Sequence, residues 1–146
     1  PGIHNVENYM AAIAAVDGLV SDDVIVDVAK NFGGVPHRIE LVRELDGVKY
    51  YNSSIDSSPN RTINALNVFK QKVIMIAGGK DKGIPYDEIG MPIVEHVKKL
   101  ILISKLPVTE EDKKLHPSAE QIKQAVIKTG RANELEMFDV HTYEDA

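Results

Sequence analysis

A chain of 146 residues with 43% hydrophobic and 27% charged residues has the composition of one folded domain rather than of a disordered segment. Its 22 acidic and 17 basic residues leave a net charge of −5, which argues against a surface built mainly to bind nucleic acid. Cysteine is absent, which excludes disulfides and thiolate nucleophiles, and no apolar run approaches the roughly 18 residues that span a membrane.

Two helices are predicted in the N-terminal part of the chain. Apolar residues at helical spacing indicate the first helix over residues 4–16. The second helix follows Ser21, a plausible N-cap, and ends at Gly33-Gly34. We place a domain boundary after residue 36. The chain begins at Pro1 without a signal-peptide pattern, and we expect it to be a piece of a longer protein.

Strands then alternate with helices. Two strand-like runs, residues 38–45 and 48–52, flank Asp46-Gly47, a pair typical of a tight hairpin turn. The elements predicted after the hairpin are a helix from Ser58-Pro59, strands at 73–77, 100–104 and 134–138, and helices at 86–97 and 118–129. Ser118 and Gln121 have the spacing of a capping box at the start of the last helix. This order predicts an α/β fold: a Rossmann-like, mostly parallel sheet with helices on both faces and an antiparallel hairpin at its start, incomplete at the C-terminus.

Two loops at predicted strand ends could bind a ligand, because open parallel sheets bind ligands outside the carboxyl ends of their strands. Residues 52–59 (N-S-S-I-D-S-S-P) gather hydroxyl donors before a helix, which suits a phosphate or carboxylate but also an elaborate N-cap. Residues 78–83 (G-G-K-D-K-G) combine flexible backbone with two lysines, which suits an anion but also a solvated turn. Neither loop has the spacing of a Walker A sequence.

Isolated polar residues give weaker indications. Asn5 and Asn8 occupy neighbouring positions on the first helix, where amides can read an adenine edge or simply face solvent. Arg38 could hold a phosphate or form an ordinary ion pair with Glu40. The histidines His96, His116 and His141 show no metal-ligand spacing, so we assign no metal site and no catalytic residue.

Taken in order, four segments resemble the Mur ligase family, in its D-glutamate-adding branch. Residues 2–8 resemble the G-x-H-N-x-x-N helix start, and residues 37–40 resemble H-R-x-E. Residues 52–62 resemble the loop N-D-S-x-A-S-S-P-x-R-T, and residues 78–83 match G-G-x-D-K-G. The ordered set extends over essentially the whole chain and is far more specific than any one member.

The resemblance implies the tail of a central ATPase domain over residues 1–36 and a truncated amino-acid-binding domain over residues 37–146. It implies an ATP-dependent ligase that joins D-glutamate to UDP-N-acetylmuramoyl-L-alanine through an acyl phosphate, in peptidoglycan precursor synthesis in the cytoplasm. The full-length protein would use ATP and Mg²⁺, neither held tightly by this chain, and small-molecule substrates rather than nucleic acid or membrane. The resemblance assigns nucleotide binding to Asn5, Asn8, Arg38, Asn52 and Ser53, and substrate binding to Ser54, Ser57 and Lys82.

Two residues depart from the family pattern. Ser53 stands where the family has an aspartate that holds the ribose hydroxyls, and Asp56 replaces a small residue of the same loop. The family's phosphate-binding loop and its last glutamate-binding segment do not occur in the sequence, so we expect no ligase activity from the chain alone. The alternatives are a C-terminal domain like that of folylpolyglutamate synthetase and a non-catalytic Rossmann-like binding module.

Overall fold

The computed structural model describes residues 3–104 and 118–146, with side chains from Val6 onward. The chain divides into two compact units, Pro1–Asp56 and Ser57–Ala146. The predicted boundary after residue 36 separates two domains of a longer protein. It stays a prediction. None of the described helices has the length and hydropathy of a membrane-spanning segment.

The first unit consists of two helices and a hairpin: α1 (Ile3–Val16), α2 (Asp22–Asn31), β1 (Glu40–Leu45) and β2 (Val48–Asn52). Both predicted helices and the hairpin are confirmed. Asp46 and Gly47 have φ angles of 51° and 78°, the left-handed pair that lets two antiparallel strands reverse in a tight turn. Ser21 is the extended residue before α2, although its side chain makes no capping bond.

Very little of the first unit is buried. Ile39 is the one buried apolar side chain among the described residues of this unit. The rings of Tyr9 and Phe32 meet edge to face at 6.3 Å, which links the two helices. Large apolar side chains such as Leu19 and Val28 stay exposed. Hydrogen bonds in turns and loops therefore organise this unit more than a core does.

The second unit is built on a three-stranded parallel sheet in the order β3 (Val73–Gly78), β4 (Val97–Ile103), β5 (Glu136–Val140). Its helices are α3 (Pro59–Leu66), α4 (Gly90–His96) and α5 (Ser118–Lys128), with short 3-10 helices at Asp87–Ile89 and Ala132–Glu134. The predicted parallel α/β arrangement is confirmed. The hairpin forms a sheet of its own, separate from the parallel one.

One helix is shorter than the sequence pattern predicts. The pattern favours a helix throughout residues 86–97, but a 3-10 helix covers Asp87–Ile89 and α4 ends at His96. Pro92 lies in the first turn of α4, where its missing N–H costs no helical bond. Val97 turns directly into β4, because its fully buried side chain is placed by pairing with Val73.

The hydrophobic core of this unit lies on one side of the sheet. Leu100 and Leu102 of β4 are fully buried with Ile93, Ile122 and Val126 of the helices. On the other side, Ile74 and Ile76 of the edge strand β3 are 52% and 57% exposed. Within the described residues of this unit, the helices lie on a single face of the sheet, so the expectation of helices on both faces is not met there. Right-handed crossovers that advance across the sheet in one direction, from β3 to β4 to β5, place their helices on the same face of the sheet.

The helices α4 and α5 approach each other closely at Gly90. A Cβ atom at Gly90 would lie 2.2 Å from the carbonyl oxygen of Ala125. Only glycine fits there without movement of the backbone. The end of α4 is held by Lys72, whose Nζ donates to the Val94 carbonyl oxygen at 2.8 Å.

We expect Gly90→Ala to lower the free energy of unfolding of the second unit by about 1–3 kcal/mol, because the added methyl group must push α4 away from α5. Gly33→Ala is the matched control, because a Cβ atom there meets nothing within 4 Å. Urea titration followed by circular dichroism measures both. Equal stability of the two variants would contradict the close approach.

Candidate functional site

The lysine loop, residues 78–83, follows β3 at the carboxyl edge of the parallel sheet. Its start is fixed by β4, because a Cβ atom on Gly78 would lie 2.4 Å from the Ile103 carbonyl oxygen. Gly79 has a φ of 124° and Gly83 a φ of 68°, both of which favour glycine. The Gly83 N–H donates to Asp81 Oδ1 at 2.8 Å, which closes a turn around Lys82. The loop therefore has a defined backbone.

Ser118 of α5 holds the same loop from the other side. Its hydroxyl donates to the Gly79 carbonyl oxygen at 2.8 Å, and its backbone N–H donates to the same oxygen at 3.2 Å. The residue is 3% exposed. The capping box predicted from Ser118 and Gln121 is not formed among the described residues: Ser118 is the first residue of α5, and the hydrogen bond of its hydroxyl is the one that it donates to the lysine loop.

Lys80 and Lys82 are exposed and enter none of the ion pairs between described residues. Other lysines of this unit are paired, for example Lys99 with Glu136 at 3.0 Å and Lys128 with Asp87 at 2.7 Å. The hydrogen bond and charge of Lys128 hold the pKa of the Asp87 carboxyl below its usual value. Within the described residues, the loop therefore presents two ammonium groups whose charge can serve an anion.

Ser57 precedes α3 in the same unit. Ser58 is the extended N-cap residue, with φ −143° and ψ 150°, and its side chain makes no capping bond. Pro59 opens the helix and is buried. Ser57 itself is exposed. The simple interpretation of this loop as an N-cap therefore loses support, because the cap-position hydroxyl is not used by the helix.

Ser53 and Asp56, the two departures from the family pattern, form a pair in the first unit. The Ser53 hydroxyl donates to the Asp56 carboxylate in a short hydrogen bond, and its oxygen accepts from the Ile39 N–H at 3.2 Å. Ile39 is buried and has a φ of 48°, a left-handed backbone that is rare for a β-branched residue. Ser53 therefore secures a strained turn at the entrance to the hairpin.

Asn52 joins the other half of this polar cluster. Its Oδ1 accepts from the Ser54 N–H at 3.0 Å, and its amide nitrogen lies 2.8 Å from His37 Nδ1. An amide nitrogen can only donate, so this contact is a hydrogen bond in the tautomer whose Nδ1 carries no proton. The His37 N–H donates to Glu40 Oε2 at 2.8 Å, and Arg38 between these two residues is half-buried.

The predicted site residues fall into both units. Those in the first unit are Asn8, Arg38, Asn52, Ser53 and Ser54, and those in the second are Ser57 and Lys82. Asn52, Ser53 and Ser54 belong to one hydrogen-bonded loop that also contacts the His37 ring and the Ile39 N–H, on either side of Arg38. Asn8 is exposed on α1, whereas Asn5 also lies on α1 but its side chain is outside the described residues.

Sequence reasoning misses the residues that organise these loops. It gives His37, beside the predicted Arg38, no role, it predicts only a cap at Ser118, and it identifies Asp56 only as a departure from the family pattern. The adjacency of His37 to Arg38 is a usable signal, but nothing in the sequence connects Ser118 with a loop 39 residues away.

A groove in the second unit is lined by none of the predicted site residues. This groove, of about 220 Å³ between the 3-10 helix at Asp87–Ile89 and α5, is lined by Pro85, Tyr86, Asp87, Glu120, Gln121, Gln124 and Lys128.

The described residues contain no group of three or more His, Asp or Glu side chains that could hold a metal. His141 Nδ1 lies 3.0 Å from the Ser104 carbonyl oxygen, and His116 lies outside the described residues.

Known proteins match this chain closely over most of its length. It is 67% identical over 103 residues to the UDP-N-acetylmuramoylalanine–D-glutamate ligase of Ruminiclostridium cellulolyticum and 64% identical over 105 residues to that of Acetivibrio thermocellus. The match to the Clostridium beijerinckii ligase is 55% over 102 residues. These stretches cover 70–72% of this chain and 22% of each relative, so the chain spans about a fifth of the curated relatives it matches. No family model matches the chain.

The parallel α/β sheet, the loops at its carboxyl edge and these identities define the class: a domain of the ligase type. The chain belongs to the Mur ligase family, in the branch of the UDP-N-acetylmuramoylalanine–D-glutamate ligases. The resemblance carried by the four motifs is thereby confirmed.

We expect Ser53→Ala to destabilise the first unit by about 1–3 kcal/mol, because the N–H of buried Ile39 loses its acceptor. Amide hydrogen exchange at Ile39, measured by NMR, should become faster. Ser54→Ala is the control, since Ser54 contributes only its backbone N–H to the hydrogen bond with Asn52. Unchanged exchange at Ile39 in the Ser53 variant would remove Ser53 from this role.

Proposed function

We propose that this chain forms the amino-acid-binding part, and one portion of the nucleotide-binding part, of an ATP-dependent ligase that adds D-glutamate to UDP-N-acetylmuramoyl-L-alanine. The lysine loop carries the proposal, because it presents ammonium groups outside any described ion pair on a fixed backbone, at the edge where α/β sheets bind ligands. The names of the relatives support D-glutamate as the incoming amino acid. They also favour this function over a folylpolyglutamate synthetase-like domain and over a non-catalytic module.

The proposed reaction has two steps. ATP phosphorylates the carboxylate of the acceptor, which forms an acyl phosphate and releases ADP. The amine of D-glutamate then attacks the acyl carbon, phosphate leaves, and the nitrogen loses a proton as the amide forms. The residues of this chain contribute positioning and charge neutralisation rather than proton transfer.

Lys82 acts at the D-glutamate end in this proposal. D-glutamate carries two carboxylates, and an ammonium group on a rigid loop neutralises one of them without ordering a long segment of chain. The hydroxyl of Ser57, in the same unit, is a further donor for this substrate, and Ser54 of the first unit stays a predicted substrate-binding residue. The proposal assigns Lys80 only a share of the general positive potential.

Arg38 and Asn52 act at the nucleotide end, with Asn8 and Asn5 on α1 as additional amide contacts. The guanidinium group of Arg38 can donate two parallel hydrogen bonds to a phosphate. Ser53 already donates to Asp56 and accepts from Ile39, so we assign it first to holding the loop that carries Asn52. Asp56 then places a carboxylate within the loop whose family aspartate is replaced by Ser53.

Mg²⁺ is proposed for the full-length protein together with ATP. The steps assigned to the residues of this chain are binding and charge neutralisation, and none of them runs through the metal ion. The cytoplasm is the proposed location, because ATP and nucleotide-linked precursors are available there. The product would enter peptidoglycan synthesis and thereby serve cell shape and division.

We expect the chain of 146 residues by itself to release no phosphate from ATP in the presence of D-glutamate and UDP-N-acetylmuramoyl-L-alanine. Its sequence nowhere contains the G-x-x-x-x-G-K-[ST] spacing that cradles transferable phosphates. A phosphate-release assay on the purified chain measures this. Substrate-dependent turnover above a blank would show that these residues form a complete active site.

We expect Lys82→Ala to raise the KM for D-glutamate by about 10- to 100-fold, the usual range for loss of one charge-assisted contact. The test uses a full-length ligase in which this chain replaces the corresponding segment of the Ruminiclostridium cellulolyticum relative. The KM for ATP should change little, because the nucleotide contacts are assigned elsewhere.

Lys80→Ala is the matched control, since it removes the same charge from the same loop. Arg38→Ala is the opposite control, which should raise the KM for ATP and not that for D-glutamate. Equal effects of the two lysine variants would indicate a diffuse electrostatic role. An unchanged KM for D-glutamate in Lys82→Ala would remove Lys82 from the site.

A further inference from the structure

The lysine loop is held at its two ends and near its middle by contacts of different kinds. At its start, Gly78 packs against the Ile103 carbonyl oxygen so closely that a Cβ atom would not fit. At its end, the Asp81 carboxylate accepts the Gly83 N–H within the loop. Between them, the Gly79 carbonyl oxygen accepts two hydrogen bonds from Ser118. Only the last of these contacts joins the loop to a helix.

Ser118 can fix the position of the loop relative to α5, because it begins that helix. It is 3% exposed, and its neighbour Ala119 is fully buried. One turn further along, Ile122 belongs to the same core, as does Val126. A residue at the end of a helix packed into the core moves little, so a peptide unit that it binds is held equally firmly. The bound peptide unit, Gly79–Lys80, lies two residues before Lys82.

Among the described residues, the Gly79 carbonyl oxygen accepts hydrogen bonds from Ser118 alone, while the next residue, Lys80, forms a β-bridge. The φ angle of Gly79 is 124°, a value that glycine reaches at little cost and leaves as easily. Without the Ser118 hydroxyl, the Gly79 carbonyl oxygen would retain, among the described residues, only the longer bond from the Ser118 N–H. The hydroxyl therefore selects one backbone conformation of a loop whose glycines permit several.

We infer that Ser118 is a positioning residue for the D-glutamate end of the site: by holding the Gly79 carbonyl group, it sets the direction in which Lys82 presents its ammonium group. Ser118 touches no substrate in this role. The inference rests on the proposed function of Lys82, but the contact between Ser118 and the loop can be tested without any substrate.

The functional test uses the same full-length ligase and compares Ser118→Ala with Ser118→Thr. The alanine variant should raise the KM for D-glutamate by about 3- to 10-fold, as expected for loss of one neutral hydrogen bond, with the KM for ATP unchanged. The threonine variant keeps the hydroxyl and should restore most of the affinity. A general loss of stability would not separate the two substrates or respond to the hydroxyl alone.

Ser104→Ala is the matched control at the same edge of the sheet. Within the described part of the chain, Ser104 bonds to Val140 and His141 through its backbone, so removal of its hydroxyl should leave both KM values unchanged. If Lys82→Ala raises the KM for D-glutamate and Ser118→Ala does not, the positioning role is refuted while the proposed function stands. If Lys82→Ala itself has no effect, the proposed function fails.

The structural test uses the 146-residue chain without substrate. The Ser118 amide, which donates to Gly79, should exchange slowly with solvent in the unsubstituted chain. In Ser118→Ala, NMR order parameters of the amides at residues 80–83 should fall toward values typical of flexible loops, below about 0.6. A freely exchanging Ser118 amide, or a loop that keeps its order in Ser118→Ala, would overturn the inference whatever the kinetics show.

Discussion

The packing of α5 against the central strand β4 is the constraint on which the second unit depends. Leu100 and Leu102 are fully buried against Val126 and Ile93, so the helices cannot shift along the sheet without opening cavities in the core. Gly90 lets α4 approach α5 at backbone distance and completes the layer. Because α5 begins with Ser118, the same packing fixes the donor that holds the lysine loop.

The first unit obtains its order in a different way. With Ile39 as the one buried apolar side chain among its described residues, it has little core, and its loop geometry comes from hydrogen bonds around Ser53, Asn52 and His37. Such networks place polar groups accurately but contribute only modest stability, since each bond replaces one to water. Many of its large apolar side chains are exposed, for example Leu19 and Phe32.

In the lysine loop and in the loop of Asn52 and Ser53, a backbone held by hydrogen bonds carries flexible or charged side chains. Lys82 and Lys80 are exposed on a loop whose Gly79 carbonyl and Gly83 amide groups are hydrogen-bonded, so an anion can bind the two charges without first ordering the loop. Other charged groups are arranged for structure instead. The guanidinium of Arg131 lowers the pKa of Glu134 through a hydrogen bond on the surface. Charged groups in ion pairs thus stabilise the structure, whereas the charges of Lys80 and Lys82 can bind a ligand.

Local chemistry makes much of this protein predictable from its sequence. Asp46-Gly47 specifies the hairpin turn because both residues tolerate positive φ, and four motifs in a fixed order indicate the family. Tertiary structure alone decides that β4 begins at Val97, that the described helices of the second unit lie on one face of the sheet, and that the Ser118 hydroxyl bonds to Gly79. It also joins Ser53 to Ile39 across the hairpin. These features depend on which distant residues the packed helices and strands bring within hydrogen-bonding distance, and no local pattern encodes that choice.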